Sequence, residues 1–401
     1  MPGPFNGLRV VDLTTVFVGP YTSQFLGDMG ADVIKVEAPG GDSTRGTGPF
    51  VHRDMGSNFL HVNRNKRSIS LDLKTEGGAE AMRRLIATAD VFLHNMRPEP
   101  LERLKFDYAH VKEVKPDIVY CNIWGFGRKG PYAGMAAYDD VIQGACGMVA
   151  LEAFNGRPVR YVPFLIADKT CALFASYAIA GALYHRLATG EGQEVEVPMF
   201  ESMVSYTMLE HLWGETFVPS RGRVGSERHA EPGRWPHPTK DGYICSLPSS
   251  DKHWQTLCRI ADRPDLKDHP AYRDRNARRK NLRKVLETLD EIFATRTTKE
   301  WSDALGVAGV PCMPISSLED VVADRHLEKV DFWQEIDHPT EGRIRLMKPP
   351  YTLARSPASI RRAPPRYAEH TREILDELGY DAAAADALIA SGGAVEQPED
   401  K

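Results

Sequence analysis

Five short runs rich in β-branched and apolar residues recur through the first 123 residues: 8–13 (LRVVDL), 32–36 (DVIKV), 68–73 (SISLDL), 90–93 (DVFL) and 118–123 (IVYCNI). Runs of this length bounded by polar residues suit buried strands. Between several of them the apolar positions recur every three or four residues, as in 76–87, which is the period of a helix with one buried face. Strand and helix in alternation predict a parallel sheet wrapped by helices, an α/β fold.

A further helical pattern covers 199–213, and then the character changes. Residues 219–238 (PSRGRVGSERHAEPGRWPHP) have no apolar period and read as a linker or an active-site loop. Beyond them 242–247 reads as a strand and 254–260, 278–295 and 298–305 as helices, which together suggest a smaller second domain. A third region has a strand and Pro-rich loop at 343–353 and a helix at 371–378. The tail 382–401 is alanine-rich and then polar, and its last ten residues are expected to fray.

Composition narrows the function classes. The chain has 401 residues, enough for one large domain or two ordinary ones, with 28 prolines and 33 glycines mostly between periodic segments. Its 50 basic and 55 acidic residues leave a formal charge of −5, which calls for neither nucleic acid nor an anionic membrane. The N-terminus lacks a basic stretch followed by an apolar one, and no run approaches about 18 uninterrupted apolar residues. A soluble, cytoplasmic protein is expected. The six cysteines (Cys121, Cys146, Cys171, Cys245, Cys258, Cys312) include no C-x-x-C pair, so neither a disulfide framework nor a metal site is suggested. A dinucleotide site would require G-x-G-x-x-G after the first strand; the chain has Thr14-Thr15-Val16-Phe17-Val18-Gly19-Pro20, which argues against NAD or FAD.

Four segments hold candidate chemistry. An apolar run through 162–167 ends in Asp168, and 170–187 continues as a long helical pattern. An aspartate there is either a helix cap or a carboxylate placed for chemistry. Asn63-Arg64-Asn65-Lys66-Arg67-Ser68 puts three cations just before a strand, as a solvated turn or as a phosphate-binding loop. Asn95-Met96-Arg97-Pro98 follows a strand, where open α/β sheets bind ligands. Gly125-Phe126-Gly127-Arg128-Lys129-Gly130-Pro131 also follows a strand and would cradle a ligand or turn the chain.

Taken in order, Gly7-Leu8-Arg9-Val10-Val11-Asp12-Leu13, Gly19-Pro20, the segment 26–37 (LGDMGADVIKVE), 63–68, 125–131, Tyr138-Asp139, Asp168 and Thr189-Gly190-Glu191-Gly192-Gln193 resemble the family III CoA-transferases, chiefly within the first 200 residues. The resemblance implies a Rossmann-like large domain formed by both chain ends, a small inserted α+β domain, and an interlocked homodimer. The corresponding boundaries are 1–215 for the N-terminal part of the large domain, 216–240 for a linker, 241–328 for the small domain, and 329–401 for a linker and return to the large domain. It also implies that Asp168 is the nucleophile, and that Thr15, Val16, Leu71, Lys74, Asn95, Met96, Arg97, Arg103, Leu104 and Tyr138 lie along the CoA site. Three departures stand out. A family arginine near the adenine falls at Ala38. A glycine-rich lid loop is replaced by Ser246-Leu247-Pro248-Ser249-Ser250-Asp251. The Leu-Gly before Glu369-His370-Thr371 becomes Tyr367-Ala368.

The implied reaction moves coenzyme A from an acyl-CoA donor to a small carboxylic acid through a covalent aspartyl thioester, with CoA as substrate and neither metal nor redox cofactor. Backbone N–H groups after Asp168, or in the loop 246–250, are candidate oxyanion donors. The nearest alternative is an α-methylacyl-CoA racemase, which would need a histidine where Tyr138 stands; a tyrosine, with an ordinary pKa of about 10, is a poor base near neutral pH. A non-catalytic CoA-binding protein is the other alternative. Arg221, Arg223, Arg228 and Arg234 would suit the far carboxylate of a dicarboxylic acid, whereas Trp213, Trp235 and His237 would suit a bulkier acyl group. Neither nucleic acid nor a membrane is an expected partner.

Overall fold

Six parallel strands carry the first part of the chain: β1 Arg9–Leu13, β2 Asp32–Glu37, β3 Lys66–Leu71, β4 Val91–His94, β5 Val119–Trp124 and β6 Glu194–Pro198. In the computed structural model, which describes residues 2–154, 158–229, 231 and 233–397, they are ordered β3-β2-β1-β4-β5-β6. Val11 of β1 lies between Ile34 of β2 and Phe92 of β4, and all three are fully buried. Helices cover both faces of such a sheet, which is why its strands are apolar without alternation. The strand order reverses between β1 and β4, and there the chain ends of neighbouring strands diverge to leave a crevice.

The helix Glu76–Ala87 starts on Thr75, whose hydroxyl accepts the Gly78 N–H. Its Ala81, Met82, Leu85 and Ile86 are fully buried against the sheet together with Ile374 and Leu375 of the helix Thr371–Glu377. Removing a side chain such as Leu85 from this core would cost about 2–5 kcal/mol. A seventh strand, Ala394–Val395, runs antiparallel to β3 with Ala394 opposite Leu71. The expected fraying of the last ten residues is therefore corrected: Gly393 O accepts the Asp72 N–H at 3.0 Å, and the backbone of this tail is used in the sheet. Only residues 398–401 of that tail lie outside the described residues.

Two compact units emerge: Met1–Cys146 with Val162–Ser205 and Glu328–Lys401, and Gly147–Tyr161 with Tyr206–Leu327. The second contains a three-stranded antiparallel sheet (His237–Pro238, Tyr243–Ser246, Cys312–Pro314) and helices packed around the buried Trp254 and Trp301. The single helix expected over 278–295 is two, Arg275–Lys280 and Leu282–Phe293, because the backbone leaves helical geometry at Asn281 (φ −115°, ψ 32°). The first unit also holds an unexpected hairpin partner, Trp333–His338, for the strand Gly342–Met347.

Among the described residues one helix, Ile166–Thr189, is long and apolar enough by composition to cross a membrane. Asp168, Lys169 and Arg186 punctuate it, and Ala167, Cys171, Ala172, Ala175, Ile179, Ala182 and Leu183 are buried along one side, as in a core helix. The opposite side exposes Leu173, Tyr177, Tyr184 and Leu187. Gly190 ends it in the left-handed conformation at φ +79°, satisfying the last turn.

Candidate active site

The site begins where β1 runs into the turn Thr14 to Phe17 and the helix Val18–Asp28. Gly19 is required by space, since a Cβ there would lie 2.3 Å from the Thr14 Cβ. No glycine eases the turn itself, and Val16 takes φ +70°, a conformation that costs a β-branched residue about 1–3 kcal/mol. Its neighbours hold it there. Asp42 accepts the Val16 N–H at 3.3 Å, and Asn95 accepts the Thr15 N–H at 3.0 Å and donates back to Thr15 O at 2.8 Å. Lys35 donates to Thr14 O and to Asp42, both at 2.9 Å.

Behind this turn lies a fully enclosed set of charges. Lys66 pairs with Asp12 at 2.9 Å, and Arg45 grips Glu37 through two 2.7 Å bonds. In a dinucleotide site the carboxylate at the end of the second strand would bind the adenine ribose. Here that carboxylate, Glu37, is occupied by Arg45, Ser68 and the Asp42 N–H. The phosphate-loop reading of 63–68 is likewise corrected. Arg64 binds both oxygens of Asp28 at 2.9 and 2.7 Å, Lys66 is buried, and Arg67 binds Asp32, Glu373 and Glu377. β3 starts at Lys66, two residues earlier than expected, because these cations have internal partners.

At the switch point the turn, the β4 end and the loop after β5 enclose a cleft of about 250 Å³. Thr15, Val16, Asn95, Arg97, Tyr138 and Asp168 line it together with Trp124, Phe126, Arg128 and Met199. The other expected residues lie elsewhere. Leu71 is buried in the core and Lys74 is exposed just beyond β3, while Arg103 and Leu104 end the helix Pro98–Leu104. Met96 packs on the core, and its carbonyl accepts the Trp124 indole N–H at 2.9 Å.

The loop 125–131 is fixed by acids of the next strand and helix. Glu201 accepts the Gly127 N–H, while Glu196 and Glu194 take the Arg128 guanidinium at 2.9 and 2.7 Å. Gly125 is needed because a Cβ would come 2.5 Å from the Ala137 Cβ. These carboxylates, and the strand β6 that carries two of them, went unread in the sequence. Their Glu-Val alternation in EVEVP is a strand signal of period two.

Asp168 is the third residue of its helix, which starts at Ile166 and not at 170. It is therefore not an N-cap: Leu165 occupies that position without a side-chain bond. Its N–H donates to Asp139 Oδ2 at 3.0 Å, and Asp139 Oδ1 accepts the Gln143 amide at 2.5 Å. Gln143 in turn accepts the Val162 N–H at 2.9 Å, tying the segment that leads to Asp168. Burial first, and then the charge of Asp139, push the Asp168 carboxyl up from 3.8 to about 7. Among the described residues none donates a hydrogen bond to its side chain. The result is a desolvated carboxyl, 7 % exposed, half ionised near neutral pH and facing an open cleft. Such a group is suited to act as a nucleophile or a proton carrier.

In the second unit, Ser250 caps the helix Asp251–Ile260, and Arg278 holds the loop 246–251 through Ser249 O and Asp251. Arg223, Arg228 and Trp213 line a cavity of about 1470 Å³ with Arg275, Arg279 and Lys284. Arg221 stacks on Phe217, and His237 bonds Asp290 at 2.6 Å. The departure at Tyr367 has a structural account in the first unit: its hydroxyl bonds the Gly40 N–H and Ser70.

The profile of CoA-transferase family III matches residues 5–371. The chain is 33% identical to the succinyl-CoA:glutarate CoA-transferase of Mus musculus, over 99% of this chain and 92% of that one. It is 32% identical to the formyl-CoA:oxalate CoA-transferase of Rhodopseudomonas palustris, over 99% of each. Among solved structures, a CAIB/BAIF family protein from Brucella suis superposes with a TM-score of 0.80 at 31% identity, covering 94% of this chain and 100% of that one.

Proposed function

The chain belongs to CoA-transferase family III and is a CoA-transferase, and from that premise we propose that Asp168 carries the transferred group as an aspartyl-CoA thioester. The observation that supports this reading is the placement of a desolvated, electron-rich carboxylate in the cleft at the switch point, to which none of the described residues donates a hydrogen bond. An Asp168 oxygen attacks the donor thioester carbonyl, the C–S bond breaks, and a mixed anhydride and CoA thiolate result. The thiolate then attacks the aspartyl carbonyl and expels the donor acid as its carboxylate. The acceptor carboxylate reverses these steps, leaving with CoA and restoring Asp168.

The acceptor is proposed to be a small dicarboxylic acid. Relatives are named for glutarate, mesaconate and oxalate, whose second carboxylate distinguishes them from simple acyl groups. The cleft residues Thr15, Val16, Asn95, Arg97 and Tyr138 are proposed to hold the acyl-CoA. A homodimer is proposed as well, because Leu173, Tyr177, Tyr184 and Leu187 form an exposed apolar stripe, 54–84 % accessible, on one helix.

The test is direct. Unmutated protein treated with succinyl-CoA and then hydroxylamine should gain a hydroxamate at Asp168, found by peptide mass. Asp168→Asn should abolish transfer to glutarate or oxalate while the protein remains folded. Modification at another residue, or near-normal turnover by the variant, refutes the proposal. Deuterium uptake at the α-carbon of a 2-methylacyl-CoA would instead move the assignment to a racemase.

A further inference from the structure

The carboxylate of Asp139 is 3 % exposed, and no described lysine, arginine or histidine pairs with it. Its two oxygens are occupied by the Asp168 N–H and the Gln143 amide, and Gln143 is itself fully buried. A buried carboxylate held only by neutral donors is unfavourable unless something compensates. The helix Asp139–Ala145 supplies part of this, since Asp139 is its first residue and lies at the positive end of the backbone dipoles. What remains is a negative charge fixed beside a second carboxyl.

We propose that Asp139 is a positioning residue for CoA transfer: it fixes the backbone of Asp168, and its charge favours the neutral acylated form of Asp168 over the free carboxylate. The proposal rests on Asp168 being the covalent carrier. Loading converts the Asp168 carboxylate and an acyl-CoA into a neutral aspartyl-CoA thioester and a free carboxylate ion, so atoms and charge balance. The charge leaves the buried site with the released acid, and the repulsion from Asp139 leaves with it. Unloading reverses this, which makes the thioester of Asp168 less costly relative to the resting enzyme than an ordinary aspartyl thioester would be.

The surrounding groups do not cancel this effect. From its own helix Asp168 faces Cys171, whose thiol burial keeps neutral. Cys146 follows the helix that bears Asp139, and Lys169 points its ammonium over the Phe164 ring at 5.0 Å. Tyr138 is exposed at the cleft rim. Of the two arginines lining the cleft, Arg128 is neutralised by Glu194 and Glu196, and Arg97 is exposed to solvent. Burial first, and the charge of Asp139 second, raise the Asp168 carboxyl to about 7, and among the described residues no nearby cation reverses the second effect.

Asp139→Asn keeps an oxygen for the Asp168 N–H and removes the charge. The acid limb of kcat/KM should move at least one pH unit lower, and the fraction of enzyme trapped by hydroxylamine after incubation with succinyl-CoA should fall about tenfold or more. The KM for succinyl-CoA should change less than threefold. Asp139→Ser, with a hydroxyl acceptor, should behave alike. An unmoved acid limb in a folded variant overturns the proposal, because a purely structural role changes stability and not the titration. If neither variant folds, unmutated protein still tests the proposal: a limb near pH 4 in the rate of hydroxylamine trapping overturns it, because a charge held beside Asp168 must raise that limb. Failure to find any hydroxamate at Asp168 in unmutated protein would instead refute the carrier assignment itself.

Discussion

Replacing Asp168 by asparagine is expected to stabilise the protein above neutral pH. The carboxyl has an ordinary value of 3.8 in an unfolded chain and about 7 in the folded one. Between those values the folded state binds more protons than the unfolded state, so stability falls as pH rises, and the loss is complete above pH 7. At about 1.36 kcal/mol for each pH unit separating the two values, the full loss is on the order of 4 kcal/mol, of which about 2–3 kcal/mol accrues between pH 5 and pH 8. Asparagine does not titrate and escapes it. An aspartate that merely complemented the helix dipole would give the opposite sign, a loss of about 0.3–1 kcal/mol on neutralisation. Urea denaturation of both proteins at pH 5 and pH 8, with transfer measured in parallel, separates the two. The variant should gain about 2–3 kcal/mol on the unmutated protein between those pH values. A gap independent of pH, or one that narrows as pH rises, would refute the assignment of a strained, desolvated carboxylate.

Other consequences are testable with single changes. Arg64→Met leaves Asp28 buried without its partner and should cost about 3–5 kcal/mol of unfolding free energy while the KM for acyl-CoA stays within twofold; a raised KM with unchanged stability would restore the phosphate-binding role of this segment. Val16→Gly removes the strain at φ +70° and should raise stability by about 1 kcal/mol in calorimetry, yet raise the KM for acyl-CoA because the turn is less fixed; a clear loss of stability would show that no strain was stored there. Sedimentation at nanomolar concentration should show a dimer whose apolar stripe on Ile166–Thr189 is covered, and a folded monomer would remove that proposal.

The strands and the alternation with helices were legible because each β-branched run is long enough to be buried on both sides. Charges were the opposite case. Lys66 and Arg67 look like a solvated turn in sequence, because what buries them is distant along the chain: Arg67 meets Glu377 across 310 positions. The start of the Asp168 helix was misplaced for a different reason. Ile166 and Ala167 belong equally to an apolar run and to a first helical turn, and local pattern does not separate the two. The Asp139 to Gln143 spacing of four, a helical side-chain pair, was available in the sequence, but its link to the Asp168 backbone required the fold.

The antiparallel strand Ala394–Val395 carries an implication for how the molecule is made. Synthesis proceeds from the N-terminus, so the outer edge of β3 exists as an unpaired row of backbone donors and acceptors until Ala394–Val395, far downstream in the chain, has been made. By then the whole of the second unit, Gly147–Tyr161 with Tyr206–Leu327, has already emerged. Throughout the making of the intervening chain the sheet edge therefore stays open, its natural cover not yet translated. Termination ahead of Ala394 would leave that edge permanently available for pairing with another chain, a route to aggregation in which Asp168 and the cleft around it are intact.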